Sequence, residues 1–261
     1  MMRTLRLLRL FWGTSIAAEM EYRSNFLMSA LTSVGGLVGA VFGLHLFYRG
    51  GILLGGWQWE EALMVLGWFT VLTGVSRTLL TANLGRIVEH VQRGTLDFVL
   101  LKPVDAQFWL STRRLSPWGI PDLVFGLGLV LWAGFGRGVS PVHVLVALLP
   151  LAGSIVILYS LWFILATTTI WYVKIYNVTE VLNSLLEAGR FPVSAFPAGL
   201  YRFVFTFIVP VAFLTTLPAE VLLGRGRLSA IAFGLGLALA LFVASRAFFR
   251  FALRYYTSAS S

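Results

Sequence analysis

The feature that most constrains this chain is a series of apolar runs, each about 20 residues long and poor in charge. A helix rises about 1.5 Å per residue, so such a run spans the roughly 30 Å hydrocarbon core of a bilayer. Inside that core the backbone must satisfy its own polar groups, and a single segment does so only as a helix. Residues 26–48, 61–83, 119–135, 142–173 and 228–249 therefore read as membrane spans of an all-α, polytopic protein. Composition agrees: 12% of the 261 residues are charged and 58% are hydrophobic, against roughly 25% charged in soluble domains. A soluble enzyme, a disulfide-built module and a disordered scaffold are excluded. Cysteine is absent, which removes disulfides, thiolate nucleophiles and cysteine-bound metals.

The net charge of +9 would point a soluble chain toward nucleic acid. In a membrane protein it reports topology instead, and no nucleic-acid partner is expected. Arg3, Arg6 and Arg9 break up the first apolar stretch, so residues 1–22 do not form a signal peptide's core. On a helical wheel Leu5, Leu8, Phe11, Trp12 and Ile16 oppose Arg3, Arg6 and Thr14. That pattern predicts a helix lying in the membrane interface, the alternative being a plain basic leader. Arg86, Arg93, Lys102, Arg113 and Arg114 crowd the loop 84–118, and Arg246, Arg250 and Arg254 end the last span. Placing the N-terminus inside puts all of these and Lys174 on the cytoplasmic side. Arg49, Arg137, Arg225 and Arg227 remain outside. Both termini are then cytoplasmic, and the number of crossings is even. Trp57 and Trp59 read as interface anchors, and Gly35, Gly36 and Gly39 as a surface for close helix approach.

The sixth crossing must come from residues 175–224, which read two ways. Asn177, Glu180, Asn183, Ser184, Glu187 and Arg190 share one helix face, opposite Val178, Val181, Leu182, Leu185 and Leu186. Pro192 and Pro197 then interrupt regular structure, and the apolar stretch 200–223 contains Pro210 and Pro218. Hydropathy alone favours 200–223 as the crossing, with the polar-faced helix on the cytoplasmic surface. In the alternative, 175–196 crosses with its polar stripe on an aqueous pathway, and 200–223 is a proline-broken hairpin dipping in from outside.

No catalytic constellation stands out. His45, His90 and His143 lie in separate segments without carboxylates at ligand spacing, and no serine sits in a G-x-S-x-G turn. Lys102 precedes Pro103 and Lys174 precedes Ile175, so no phosphate-binding Gly-rich loop with Lys-Ser/Thr exists. The sharpest local signal lies at 89–105. Gly94 suits a helix end, Thr95 a new cap, Asp97 a first turn, and Pro103 a stop. The product is a short helix carrying Leu96, Phe98, Val99, Leu100 and Leu101. It is either an interfacial buttress or a docking knob for a cytosolic partner.

The stretch RGTLDFVLLKPVDAQF, followed some 80 residues on by GRFPVSAFPAGLYRFVFTFIVPVAFLTTLPAEVLLG, resembles the membrane subunit of type-2 ATP-binding cassette exporters, in the compact six-span subgroup. The resemblance covers essentially the whole chain. It implies that Arg93, Gly94, Leu96, Asp97, Leu100, Leu101 and Pro103 belong to a coupling helix seated on an ATPase subunit. It also implies two ATPase subunits, a second copy of this chain or a related permease, and a multi-pass place among the lipids of a bacterial cytoplasmic membrane. It favours 175–196 as the crossing and 200–223 as the re-entrant segment. This chain would bind no cofactor of its own, ATP and magnesium being held by the partner.

The expected function is thus an ATP-driven export permease without catalytic residues or metal. Asn177, Glu180, Ser184 and Glu187 are the expected pathway residues. The rivals are an autonomous proton-coupled carrier using Glu180 or Glu187, and a lipid-modifying enzyme, disfavoured by the lack of clustered His and Asp.

Overall fold

The computed structural model describes residues 2–19, 21, 23–51, 53–172 and 183–256. All regular elements among them are helical. Five helices are long and apolar enough to cross a membrane, and a bent helix pair adds a further apolar unit.

The central element is a helix of 34 residues running from Trp59 to Gln92. It comprises α3 (Trp59–Val75), a π-helical turn (Ser76–Leu80) and α4 (Thr81–Gln92). At 1.5 Å per residue it is about 50 Å long, roughly 20 Å more than the hydrocarbon core. It therefore continues past residue 83, where the polar loop was expected to begin. The cause is local: 84–92 contains no proline, and Leu84 and Ile87 stay buried on one face while Gly85 and Glu89 face out.

Against this helix packs α7 (Ile120–Gly136), antiparallel and at close range. Gly67 and Gly74 on α3 are seven residues apart, as are Gly119 and Gly126 opposite them. A Cβ on Gly126 would lie 2.7 Å from the Val71 backbone nitrogen, and one on Gly74 would lie 2.7 Å from that of Leu123. Only hydrogen fits at such positions, and small residues are what let membrane helices touch backbone to backbone. The glycines of α2 (Arg23–Arg49) behave otherwise. Gly35, Gly36 and Gly39 meet nothing within 4 Å, so the close approach expected of them is not made among the described residues. The most apolar stretch of α2 is only 11% buried, against 67% for Trp59–Gln92.

Two more long helices complete the bundle. α8 (Pro141–Thr168) packs along α11 (Leu228–Ala252), with Phe163 on Phe249. The N-terminal α1 (Met2–Glu19) leans on the chain entering α7. Trp12 Nε1 donates to the Thr112 carbonyl at 3.0 Å, and Ser15 Oγ donates to the Leu115 carbonyl at 3.1 Å. Leu8, Phe11, Trp12, Ser15, Ile16 and Glu19 are half-buried along it.

The described part of 175–196 begins with one helical turn at 183–186. It then tightens into a 3-10 turn (Glu187–Arg190) and becomes extended before Pro192, which offers no N–H to continue a helix. Beyond it, α9 (Leu200–Ile208) and α10 (Ala212–Leu222) meet at 67°, with Pro210 at the corner. The stretch starts and finishes at the same end of the bundle. Ser194 accepts from Trp57 Nε1 at 2.9 Å, and Arg225 donates to Glu61, one turn of α3 away.

The glycine contact is open to test on a single helix. Gly126→Leu should lower the melting temperature of the purified protein, overpacking costing about 1–3 kcal/mol. Gly128→Leu, with open space around its Cβ, should melt like the parent. Equal melting of the two variants would refute the tight α3–α7 contact.

Candidate functional site

Gly94 closes α4 at φ +65°. The Thr95 N–H donates to the His90 carbonyl at 2.9 Å and the Gly94 N–H to that of Val91 at 3.2 Å, the paired bonds of a Schellman ending. A side chain at Gly94 would strain this turn. α5 (Leu96–Leu100) follows at once. Thr95 stands at its cap position, but its hydroxyl is bonded to His90 Nδ1 at 2.8 Å and does not cap α5 as the sequence suggested.

Leu96 and Val99 anchor α5, at 0% and 2% exposure, while Phe98 and Leu101 stand out at 67% and 81%. Leu100 is exposed to a lesser degree, and Arg93 and Pro103 are also on the surface. Asp97 is half-buried, and its charge reaches Tyr256. Burial, with that carboxylate beside it, pushes the Tyr256 phenol above its ordinary value.

The anchorage continues through the next helix, α6 (Ala106–Thr112). Asp105 caps it, accepting from the Phe108 N–H at 2.9 Å, and pairs with Arg246 of α11 at 2.7 Å. Gln107 donates to the Tyr159 hydroxyl of α8 at 3.0 Å, and Ser111 bonds that hydroxyl at 2.8 Å. α5 is thus an apolar knob with rigid ties to two long helices.

A second feature lies within the bundle. A cavity of about 500 Å³ opens between α2, α3 and the turn at 187–190. Arg77 reaches Asp122 at 2.9 Å, and Ser33 donates to the other oxygen of that carboxylate. Arg77 sits in the π-helical turn, whose Thr78 carbonyl accepts from the Ser116 N–H at 2.9 Å rather than leaving a backbone group unmet. Across the cavity Glu187 pairs with Arg190, whose guanidinium lies 5.2 Å from the centre of the Phe69 ring. The apolar walls come from Leu66, Leu72 and Leu214. The space thus offers two opposite-charge pairs on an apolar floor.

Of the expected pathway residues, Glu187 lines this cavity. Ser184 is exposed and does not, while its neighbour Asn183 does. Asn177 and Glu180 lie outside the described residues. Sequence reading passed over Arg77 and Asp122, although charges inside apolar runs are the usual mark of function in a membrane protein.

At the far end from α5, Glu61 is fully buried. It accepts from Arg137 at 2.8 Å, from Arg225 at 3.2 Å and from the Gln58 N–H at 3.0 Å. This carboxylate gathers the ends of α3, α7 and the hairpin. Among the described residues no group of three or more His, Cys, Asp or Glu side chains has the geometry to hold a metal.

A multi-pass helical bundle with a knob at one end and a charged internal cavity has the parts of a transporter's membrane component. The chain matches the family described as ABC-2 family transporter protein over residues 34–260, and it belongs to that family. It is the membrane permease of an ATP-binding cassette transporter, a family whose permeases associate with an ATPase subunit and a permease partner. No curated protein and no solved structure matches it.

The cavity pair invites a double-mutant cycle. Arg77→Gln and Asp122→Asn, measured by unfolding in detergent, should show a coupling energy of about 1 kcal/mol. Strict additivity would mean that the two side chains do not act together.

Proposed function

We propose that this chain is the permease half of an ATP-driven exporter of a bacterial cytoplasmic membrane. Each of two ATPase subunits docks on the α5 of one permease, and the substrate passes along a pathway at the interface of the two permeases. The observation that carries the reading is α5 itself. Its Phe98, Leu100 and Leu101 project from the end of a helix longer than the bilayer is thick, where an apolar surface needs a protein partner. Arg93, Gly94, Leu96, Asp97 and Pro103 shape and hold that knob. ATP, with its magnesium, would be bound and hydrolysed by the partner, and this chain contributes no cofactor site.

The α5 end is then cytoplasmic, with both termini, in keeping with the positive-inside distribution of arginine. Residues 175–196 make the fifth crossing, and 200–223 dips in from outside. Support for this choice comes from Ser194 and Arg225, which both meet the Glu61 end of α3. The second permease is a copy of this chain or a relative, packed on the exposed apolar face of α2. The open Gly35, Gly36 and Gly39 allow close contact there. Asn177, Glu180, Ser184 and Glu187 belong to the pathway, joined by Arg77 and Asp122. A proton-coupled carrier is less well supported, because Asp122 and Glu187 are each already neutralised by an arginine.

Leu101→Asp and Phe98→Asp should abolish co-purification with the ATPase while leaving the permease folded, since a charge in a buried apolar contact is strongly unfavourable. Undiminished assembly and ATP turnover in both variants would refute the docking role. Orientation is read separately. In intact cells an impermeant thiol reagent should label Leu53→Cys and spare Pro103→Cys, and the reverse result would invert the topology.

A further inference from the structure

Beside α5, on the side facing α1, lies a pocket of about 300 Å³ with an unusual lining. Arg86 and His90 come from α4, Lys102 follows α5, and Arg113 and Arg114 follow α6. Among the described residues no carboxylate forms an ion pair with any of these arginines or with Lys102. Trp109 is shared by two of the cations, with Lys102 Nζ 5.5 Å and Arg113 Cζ 5.0 Å from its ring centre.

The arrangement is built rather than incidental. Asn83, almost fully buried, donates to the Arg114 carbonyl at 2.8 Å and accepts from the Arg114 N–H at 2.9 Å. One side chain thereby fixes the backbone that carries the cluster. Burial first, then the charges of Arg86 and Arg113, make the Arg114 guanidinium easier to deprotonate than an ordinary one. The carboxylates of Glu19 and Glu89 offset only part of this. Cations gathered in one pocket without an ion-paired carboxylate among the described residues call for an anion.

The neighbouring α1 points to the anion's source. α1 has basic residues on one face and Phe11, Trp12 and Ile16 on the other, the pattern of a helix lying at the headgroup level. It touches the pocket's own segment, since Trp12 donates to Thr112, Ser15 bonds Leu115, and the Arg113 guanidinium lies 5.3 Å from the Phe11 ring centre. We propose that this pocket binds the phosphate of an anionic phospholipid of the cytoplasmic leaflet, between the interfacial helix and the coupling helix. Arg86, Arg113 and Arg114 would hold the phosphate, and Trp109 and Phe98 would wall its glycerol end. Basic pockets between helices at the cytoplasmic boundary suit such headgroups. The inference rests on the proposed orientation but not on ATPase docking.

The test uses the full chain, delipidated in mild detergent and titrated with mixed micelles of phosphatidylglycerol or phosphatidylcholine. Bound lipid is counted by native mass spectrometry. Phosphatidylglycerol should bind at least about tenfold more tightly, and Arg86→Gln and Arg114→Gln should each erase about that factor. Arg250→Gln, an equal loss of charge outside the pocket, should leave binding unchanged. Should Arg114→Gln misfold, Arg86→Gln carries the comparison alone.

Equal binding of the two lipids, or parity of the pocket variants with Arg250→Gln, would overturn the proposal. So would displacement of the lipid by millimolar inorganic phosphate, which would assign the site to a free anion. Variants that keep the lipid but lose the ATPase would assign the pocket to the partner protein, and would overturn it equally. Because ATPase assembly is read with Leu101→Asp, either reading can fail without the other.

Discussion

The close approach of α3 and α7 is the constraint on which the rest of this structure depends. Four glycines at matched seven-residue spacing let the two backbones meet where any larger side chain would collide. Glycine costs about 1 kcal/mol relative to alanine in a helix interior. Shared van der Waals surface and backbone contact must repay that cost, since lipid supplies no hydrophobic drive between helices. Once the pair is in register, three polar bridges fall into place along it. Glu61 meets Arg137 at one end, Arg77 meets Asp122 near the middle, and Asn83 grips Arg114 toward the other end. Each bridge joins the long helix to α7 or to the chain entering it, and a shifted register would break all three.

The bridges in turn divide the molecule by function. Glu61, completely out of contact with solvent, is tolerable only because two guanidinium groups and a backbone N–H surround it. It gathers the far ends of α3 and α7 and the Arg225 foot of the hairpin, while Ser194 at the other foot meets Trp57. Arg77 and Asp122 occur where the packing opens into the cavity. Their charges face space rather than a sealed core, as expected of groups that meet a polar solute. The bridge at Arg114 supports the cationic pocket beside α5. A single helix pair thus sets a closed end, an internal cavity and a working end.

Much of this was legible in the sequence, and the exceptions share a cause. Apolar runs locate the long helices because crossing a bilayer is a property of one segment. The α5 knob was legible because Gly94, Asp97 and Pro103 act on their own neighbourhood. Features that need a partner elsewhere in the chain were not. Gly35, Gly36 and Gly39 look like a packing face and meet nothing within 4 Å among the described residues, while Gly67, Gly74, Gly119 and Gly126, unmarked in the sequence, make a backbone-to-backbone contact. Thr95 has the chemistry of a cap and gives its hydroxyl to His90. The helix from Trp59 continues past residue 83 because Leu84 and Ile87 find a buried surface that no local pattern announces. The hairpin's return to its starting end depends on Ser194 and Arg225 meeting residues more than 100 positions away.

The ties of α5 bear on how a movement there would spread through the bundle. Asp105 holds Arg246, Gln107 and Ser111 share the Tyr159 hydroxyl, and Asp97 acts electrostatically on Tyr256. These contacts lead to α8 and α11, which pack on each other, and not to α2. A push on α5 would therefore reach α8, α11 and the end of the long helix first, while α2 is tied to the bundle elsewhere, Ser29 donating to the Trp118 carbonyl at 2.7 Å and Ser33 to Asp122 of α7. The cavity lies between α2 and the long helix, on the boundary between those two parts. A space in that position changes shape whenever the parts shift, which is the geometry a transport pathway needs. On the proposed function the two sets of ties are complementary: those of α5 lead to α8 and α11, and those of α2 to α7, on the cavity's other side.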